Sequence, residues 1–211
     1  GRFMPDRMQY FAEGAMEDMD GTDLMLVAGT QEPVAFFAYP EKPSLLVPDG
    51  CETFTLGGYD LAVTDCLTKL ADGLGAAEAA PVETRTRPDK PEGKLVPAVI
   101  GASLNRHMPE GSLVSDDGVT ASLPAFLGTA TAEPHEWMML TGGAIGQGMP
   151  LAVGASVAKP GAKTFCLTGD GSAMYTNQAL WTMARENLNV VTIVVVNHSY
   201  RILNIELKRT G

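Results

Sequence analysis

Gly169-Asp170-Gly171-Ser172 directly follows the apolar run TFCLT, and Asn197 stands twenty-seven residues after Asp170, at the end of a second apolar run, VVTIVVV. Residues of helical spacing lie between the two runs, so the segment reads as one strand–helix–strand unit of a parallel sheet. Ligands of such sheets sit beyond the carboxyl ends of the strands, where both Asp170 and Asn197 fall. A carboxylate, an amide oxygen and a neighbouring main-chain carbonyl form a hard-oxygen donor set for Mg²⁺ or Ca²⁺, with positions left for phosphate oxygens and water. Gly169 and Gly171 allow close approach of the backbone to phosphates, and the N–H groups of Gly171 and Ser172 fall near a helix N-terminus, which favours anions. Taken alone, Gly-Asp-Gly is also an ordinary tight turn after a strand. The spacing to Asn197 gives it chemical content.

Two further segments accompany this pair. TGGAIGQGMPLAVGAS, Thr141–Ser156, carries glycines at 142, 143, 146 and 148, too dense for a helix interior, and reads as a loop entering a helix. SDDGVTAS, Ser115–Ser122, ends the run SLVS, and Ser115 or Asp117 reads there as a helix N-cap. His135 and His198 flank these segments and could face a substrate, although loop histidines are more often solvated or held by backbone. Met138, Met139, Met149, Met174 and Met183 read as core filler. The acidic residues Glu13, Glu17, Asp18, Asp20 and Asp23 read as a solvated helix face.

The elements that must position these residues alternate along the second half of the chain. Ser112–Ser115 reads as a strand edge, Gly142–Val157 as a glycine-rich entry into a helix, and Thr164–Thr168 as a strand. Asn177–Glu186 reads as a helix, Val190–Val196 as a central strand covered on both faces, and Ile202–Arg209 as the start of another helix. The expected fold is α/β, a doubly wound parallel sheet. Upstream, GAAEAAPVETRTRPDKPEGK reads as a linker over residues 75–94, dividing residues 1–74 from 95–211. The first segment, with one opening amphipathic helix, strands at LMLVAG and VAFFAY, and helical spacing over Asp60–Leu74, is short for an independent α/β domain and reads as the tail of a larger one.

The 211 residues hold 45% hydrophobic and 19% charged side chains, enough for a core. With 15 Lys and Arg against 25 Asp and Glu the net charge is −10, which repels a nucleic-acid backbone. No apolar run approaches the ~20 residues that span a bilayer, and the expected compartment is the cytoplasm. Cys51, Cys66 and Cys166 lack metal-type spacing and read as reduced and inert.

The pairing of Gly169-Asp170-Gly171-Ser172 with Asn197 resembles the motif by which thiamine-diphosphate-dependent enzymes hold the cofactor's diphosphate through a metal ion. That motif usually ends in two asparagines; here Val196 takes the first place and His198 follows. The resemblance places metal ligands on Asp170, Asn197 and the main chain of Ser199. It also places cofactor contacts on Thr120, on Gly143, whose carbonyl would meet the aminopyrimidine, and on Ile145, whose side chain would wedge the cofactor into a bent shape. LVAGTQEPVAFFAYPEKPSLLVPDG and ALWTMARENLNVVTIVVVNHSYRILNIELKR resemble the late central domain and the cofactor domain of acetolactate synthase large subunits, close also to benzoylformate decarboxylase.

The resemblance implies thiamine diphosphate and Mg²⁺ as cofactors, with the FAD of some acetolactate synthases left open. The fold it implies is the thiamine diphosphate-binding sheet, truncated at its C-terminus and preceded by part of a second α/β domain. It implies a carboligase or lyase of 2-oxo acids, decarboxylating pyruvate and forming a C–C bond, in a homodimer or homotetramer. A benzoylformate-type 2-oxo acid decarboxylase and a non-catalytic cofactor-binding fragment are the alternatives. A flavodoxin-like nucleotide binder is disfavoured because LVAGTQEP lacks the glycine spacing of a dinucleotide loop. In the family the activating glutamate belongs to a separate pyrimidine-binding domain, so the 211 residues are expected to supply half of a composite site and no turnover alone.

Overall fold

The computed structural model describes residues 5–58, 60–76, 84 and 86–210. Two compact units divide the chain, one within Pro5–Ala80 and the other from Pro81 onward. In the first, helix α1 (Ala12–Met19) precedes strand β1 (Leu24–Ala28), and strand β2 (Glu52–Gly57) pairs with β1 in parallel before helix α2 (Val63–Gly73). Ala12, Ala15 and Leu46 form its small core. The expected strand at VAFFAY is absent: only Val34 bridges Leu45. The Ala35 N–H donates to the Ser44 carbonyl at 2.7 Å and the Leu46 N–H to that of Pro33 at 3.0 Å, and beyond this short bridge Phe36 and Phe37 stack edge-on at 4.9 Å and Phe36 meets Tyr10 at 5.0 Å.

The second unit is a four-stranded parallel sheet. Helix α3 (Pro97–His107) leads into β3 (Ser112–Asp117), a 3₁₀ turn (Val119–Ala121) and α4 (Ser122–Gly128). Then follow β4 (His135–Met139), α5 (Gly148–Ala158), β5 (Thr164–Gly169), α6 (Asp170–Thr176), α7 (Ala179–Arg185), β6 (Val190–Val195) and α8 (Arg201–Thr210). The strand order is β4-β3-β5-β6. Along β5, Phe165 and Leu167 point to one face, against Ile100, Leu104 and Ala125 of α3 and α4. Cys166 points to the other, against Met149, Ala152, Ala173 and Met183 of α5, α6 and α7. This alternation is the period of two of a strand buried on both sides, and it makes the sheet doubly wound.

Several expectations change at this level. Ser112–Ser115 belongs to a fully buried strand in the sheet interior, because β4 and β5 pair with both its sides. VVTIVVV is not central: β6 pairs only with β5 among the described residues, and Val191 and Val194 remain 37% and 41% exposed. A β-branched apolar run specifies a strand, while its place in the sheet depends on which neighbours pair with it. Met149 and Met183 fill the core, whereas Met174 and Met139 are exposed. Residues 86–88, in the segment read as a linker, bond into the second unit, with Arg87 Nε donating to the Arg106 carbonyl and Thr86 N–H to that of Thr131. The three cysteines are free, and burial pushes the Cys166 thiol up to about 12, with the Asp117 and Asp116 charges adding to the rise. Among the described residues no helix is long and apolar enough to cross a membrane.

α3 and α4 cross through glycines. A Cβ at Gly101 would stand 2.5 Å from the Ala125 carbonyl oxygen, and one at Gly128 would stand 2.8 Å from the Gly101 Cα. Alanine favours a helix interior over glycine by about 1 kcal/mol, yet overpacking a close contact costs roughly 1–3 kcal/mol. Gly101→Ala should therefore lower the urea midpoint of the chain with an unchanged m value; an equal or higher midpoint would show that the helices part without cost.

Candidate functional site

The chain leaves β3 for α4 on one face of the sheet and leaves β5 for α6 and α7 on the other. A crevice opens between the carboxyl ends of neighbouring strands whose connections diverge in this way. Asp117 closes β3 and is paired with Thr168 of β5; Gly169 closes β5 and is paired with Val195 of β6. Because all four strands are parallel, the turns after β3, β4, β5 and β6 share this edge of the sheet.

Asp170 opens α6. Its Oδ2 accepts the His198 N–H at 2.9 Å and its Oδ1 the Gly171 N–H at 3.1 Å. Asn197 Oδ1 accepts the Ser199 N–H at 2.9 Å, which folds residues 197–199 into a tight turn. His198 adopts a left-handed φ of 53°, and that conformation directs its N–H at Asp170. The structure thus brings Asp170 and the turn containing Asn197 and Ser199 together. Gly171 lies against the Tyr200 ring, where a Cβ would meet Cε1 at 2.5 Å.

The glycine loop crosses the same edge. Gly142 and Gly143 take left-handed φ values of 58° and 65°, and a Cβ on Gly142 would meet nothing within 4 Å. The Gly143 carbonyl accepts the Ile145 N–H at 2.9 Å, leaving its second lone pair, and Ile145 is half-buried. Gly146, φ 98°, is clasped from both sides: its N–H donates to Asp117 Oδ2 at 2.8 Å and its carbonyl accepts from Thr176 Oγ1 at 2.7 Å. Gly148 donates to the same Asp117 oxygen at 3.2 Å and accepts from Ser115 Oγ at 2.7 Å. Thr120 is half-buried in the 3₁₀ turn after β3, and Ser172 is buried at the start of α6.

The acidic pair 116–117 does not cap a helix. Asp116 accepts from the Gly118 N–H, the Ser122 hydroxyl and the Trp137 indole, which fixes the turn after β3. Asp117 is fully buried; burial pushes its carboxyl above the usual carboxylate range, the Gly146 and Gly148 N–H groups and the Ser172 hydroxyl oppose that, and the Asp116 charge adds to it. The role of Asp117 is not legible from sequence beyond two acids ending an apolar strand, since its loop partners lie 29 and 31 residues away. His135 Nδ1 is bonded to the Glu133 carbonyl at 2.8 Å, while the His198 side chain is exposed.

The description "Thiamine pyrophosphate enzyme, C-terminal TPP binding domain" matches residues 124–211. Residues 124–211 belong to the thiamine pyrophosphate enzymes. The Mycobacterium tuberculosis protein IlvX, provisionally named an acetolactate synthase large subunit, is 46% identical over 98% of this chain and 40% of its own length. An α-keto-acid decarboxylase of the same species is 48% identical over 60 residues, 11% of its length. Among solved structures, the thiamine diphosphate-dependent 4-hydroxybenzoylformate decarboxylase of Rhodococcus jostii superposes with a TM-score of 0.72 at 23% identity over 97% of this chain and 42% of that one. Benzoylformate decarboxylase of Polynucleobacter necessarius follows with 0.62 at 22% identity over 94% and 41%. At such identities the superpositions report the shared fold. The chain spans about two fifths of the length of IlvX and of these structures.

The Asp170 carboxylate at the start of α6, and the Asn197 amide oxygen and main-chain carbonyls of the 197–199 turn that it contacts, are oxygen donors of the hard type that Mg²⁺ prefers. Of the left-handed glycines in the loop, Gly142 is open, with nothing within 4 Å of where a Cβ would stand, whereas Gly146 is closely packed. Gly146 carries the conformational demand of this site, because a Cβ there would both adopt φ 98° and stand 2.6 Å from the Tyr175 Cβ. Such backbone strain costs on the order of 1–3 kcal/mol. Gly146→Ala should lose at least that much unfolding free energy in urea; wild-type stability would show that the loop is not held in this conformation.

Proposed function

We propose that this chain supplies the diphosphate and metal half of a thiamine-diphosphate-dependent enzyme acting on 2-oxo acids, of acetolactate synthase type. The observation that carries this reading is the contact of the Asp170 carboxylate with the His198 N–H, which joins the Gly169–Ser172 turn to the turn of Asn197 and Ser199. In it, Mg²⁺ is held by Asp170, Asn197 Oδ1 and the Ser199 carbonyl. The N–H groups at the start of α6, with Gly169 and Thr120 beside them, face the phosphates. The Gly143 carbonyl accepts from the amino group of the pyrimidine, and Ile145 presses on the cofactor between its two rings. When bound, thiamine diphosphate supplies an electron sink for loss of CO₂ from a 2-oxo acid. The protein residues named here bind, bend and orient.

A second reading, a 2-oxo acid decarboxylase without the ligation step, draws on the 60-residue likeness to the α-keto-acid decarboxylase. Both readings start from a 2-oxo acid such as pyruvate and differ in whether a second 2-oxo acid or a proton is taken up, so acetolactate or acetaldehyde as product separates them. We place the active unit in a homodimer or homotetramer, with the pyrimidine half of the site on a separate domain.

Calorimetric titration of the chain with thiamine diphosphate and Mg²⁺ tests the core of this reading. Asp170→Ala should weaken binding beyond the roughly 10–100-fold typical of losing a supporting residue, since it removes the one formal charge given to the cation. Asn197→Ala should act in the same direction with a smaller loss, an amide offering a dipole in place of a charge. Unchanged affinity in Asp170→Ala would remove the metal site from these residues. Ile145→Ala should keep most of the affinity, because the diphosphate end anchors the molecule, and a loss equal to that of Asp170→Ala would contradict the wedge.

A further inference from the structure

We infer that Asp117 is a positioning residue, setting from the end of β3 the glycine loop that carries Gly143 and Ile145 and, through that loop, the seat of the cofactor's pyrimidine end. The seat rests on the cofactor reading above; the coupling of carboxylate to loop rests on geometry alone. Asp117 is 0% exposed, and its Oδ2 receives two loop amides, Gly146 at 2.8 Å and Gly148 at 3.2 Å. The loop closes on it so tightly that a Cβ at Gly148 would stand 2.6 Å from the Asp117 Cβ. Asp117 Oδ1 is buried and accepts no bond of ordinary geometry among the described residues.

Burying a carboxylate is costly unless its bonds return the cost, and an apolar residue would fill an interior position more cheaply. The nearby charges do not help: Asp116 lies beside it and the Cys166 thiol is buried among the same groups. What the carboxylate gains is the two amides, with the Ser172 hydroxyl as a further donor, and the amides are the groups that decide where the loop lies. Asp116 has a different role, because its bonds to Gly118, Ser122 and Trp137 stay around β3 and β4. Thr176 and Ser115 hold only carbonyls of the loop, so Asp117 is the acceptor that completes the clasp at Gly146 and Gly148.

The test uses the 211-residue chain and two ligands, thiamine diphosphate with Mg²⁺ and inorganic diphosphate with Mg²⁺, the second probing the Asp170 end alone. In Asp117→Ala, hydrogen exchange of the Gly146 and Gly148 amides should accelerate about tenfold or more while β5 amides stay protected. Thiamine diphosphate affinity should fall about tenfold with diphosphate affinity held within about twofold. Asp117→Asn, which keeps one oxygen acceptor, should recover part of both; it also carries the test if the alanine variant does not fold. A loop as protected as wild type, or parallel loss of both ligands, overturns the positioning role. A wild-type chain that binds neither ligand overturns the cofactor reading, and the exchange measurement then still decides whether the carboxylate holds the loop.

Discussion

The arrangement of the second unit depends on a single topological constraint: four parallel strands in the order β4-β3-β5-β6, with the connections after β3 and β5 leaving on opposite faces. Parallel pairing sends every strand's carboxyl end to the same edge. Divergent connections keep helices from covering the space between β3 and β5. Chemistry at this edge follows from geometry that any sequence with this topology would share. What is particular to this chain is the set of side chains placed there.

That placement is made by side-chain carboxylates accepting backbone N–H groups far along the sequence. Asp170 reaches the His198 N–H twenty-eight residues on, and Asp117 reaches the Gly146 and Gly148 N–H groups twenty-nine and thirty-one residues on. Each carboxylate supplies a hydrogen bond that an irregular loop cannot make with itself; the Asp117 bonds are buried, where loop amides need such partners, and the Asp170 bond to His198 lies at the surface. The glycines serve the same end from the other side. Gly146 in the left-handed region and Gly148 against Asp117 allow the loop to approach distances that a side chain would forbid.

The packing beneath the site explains how such polar groups are tolerated. β3 and β5 are buried on both faces, and Phe165, Leu167 and Cys166 alternate between two apolar clusters. Each large apolar side chain so buried contributes roughly 1.5–3 kcal/mol. This rigid base holds Ser115, Asp116 and Asp117 at the strand end with little freedom to relax, so their bonding geometry is transmitted to the loop.

The sequence by itself determined the parallel α/β class, the strands at 164–168 and 190–195, the helix after the glycine-rich loop, and the approach of Asp170 to the turn that follows VVTIVVV. Those features are local or of fixed spacing: apolar β-branched runs, dense glycines, and one strand–helix–strand unit whose length sets its own span. The tertiary structure alone decided that SLVS is interior and VVTIVVV an edge among the described residues, because pairing partners, not propensity, fix a strand's place. It alone decided that VAFFAY packs its rings without forming a strand. It also turned Asp117 from a helix cap into the acceptor for a distant loop, since local sequence offers a carboxylate the nearest amides and only the folded sheet brings it the ones from residues 146 and 148.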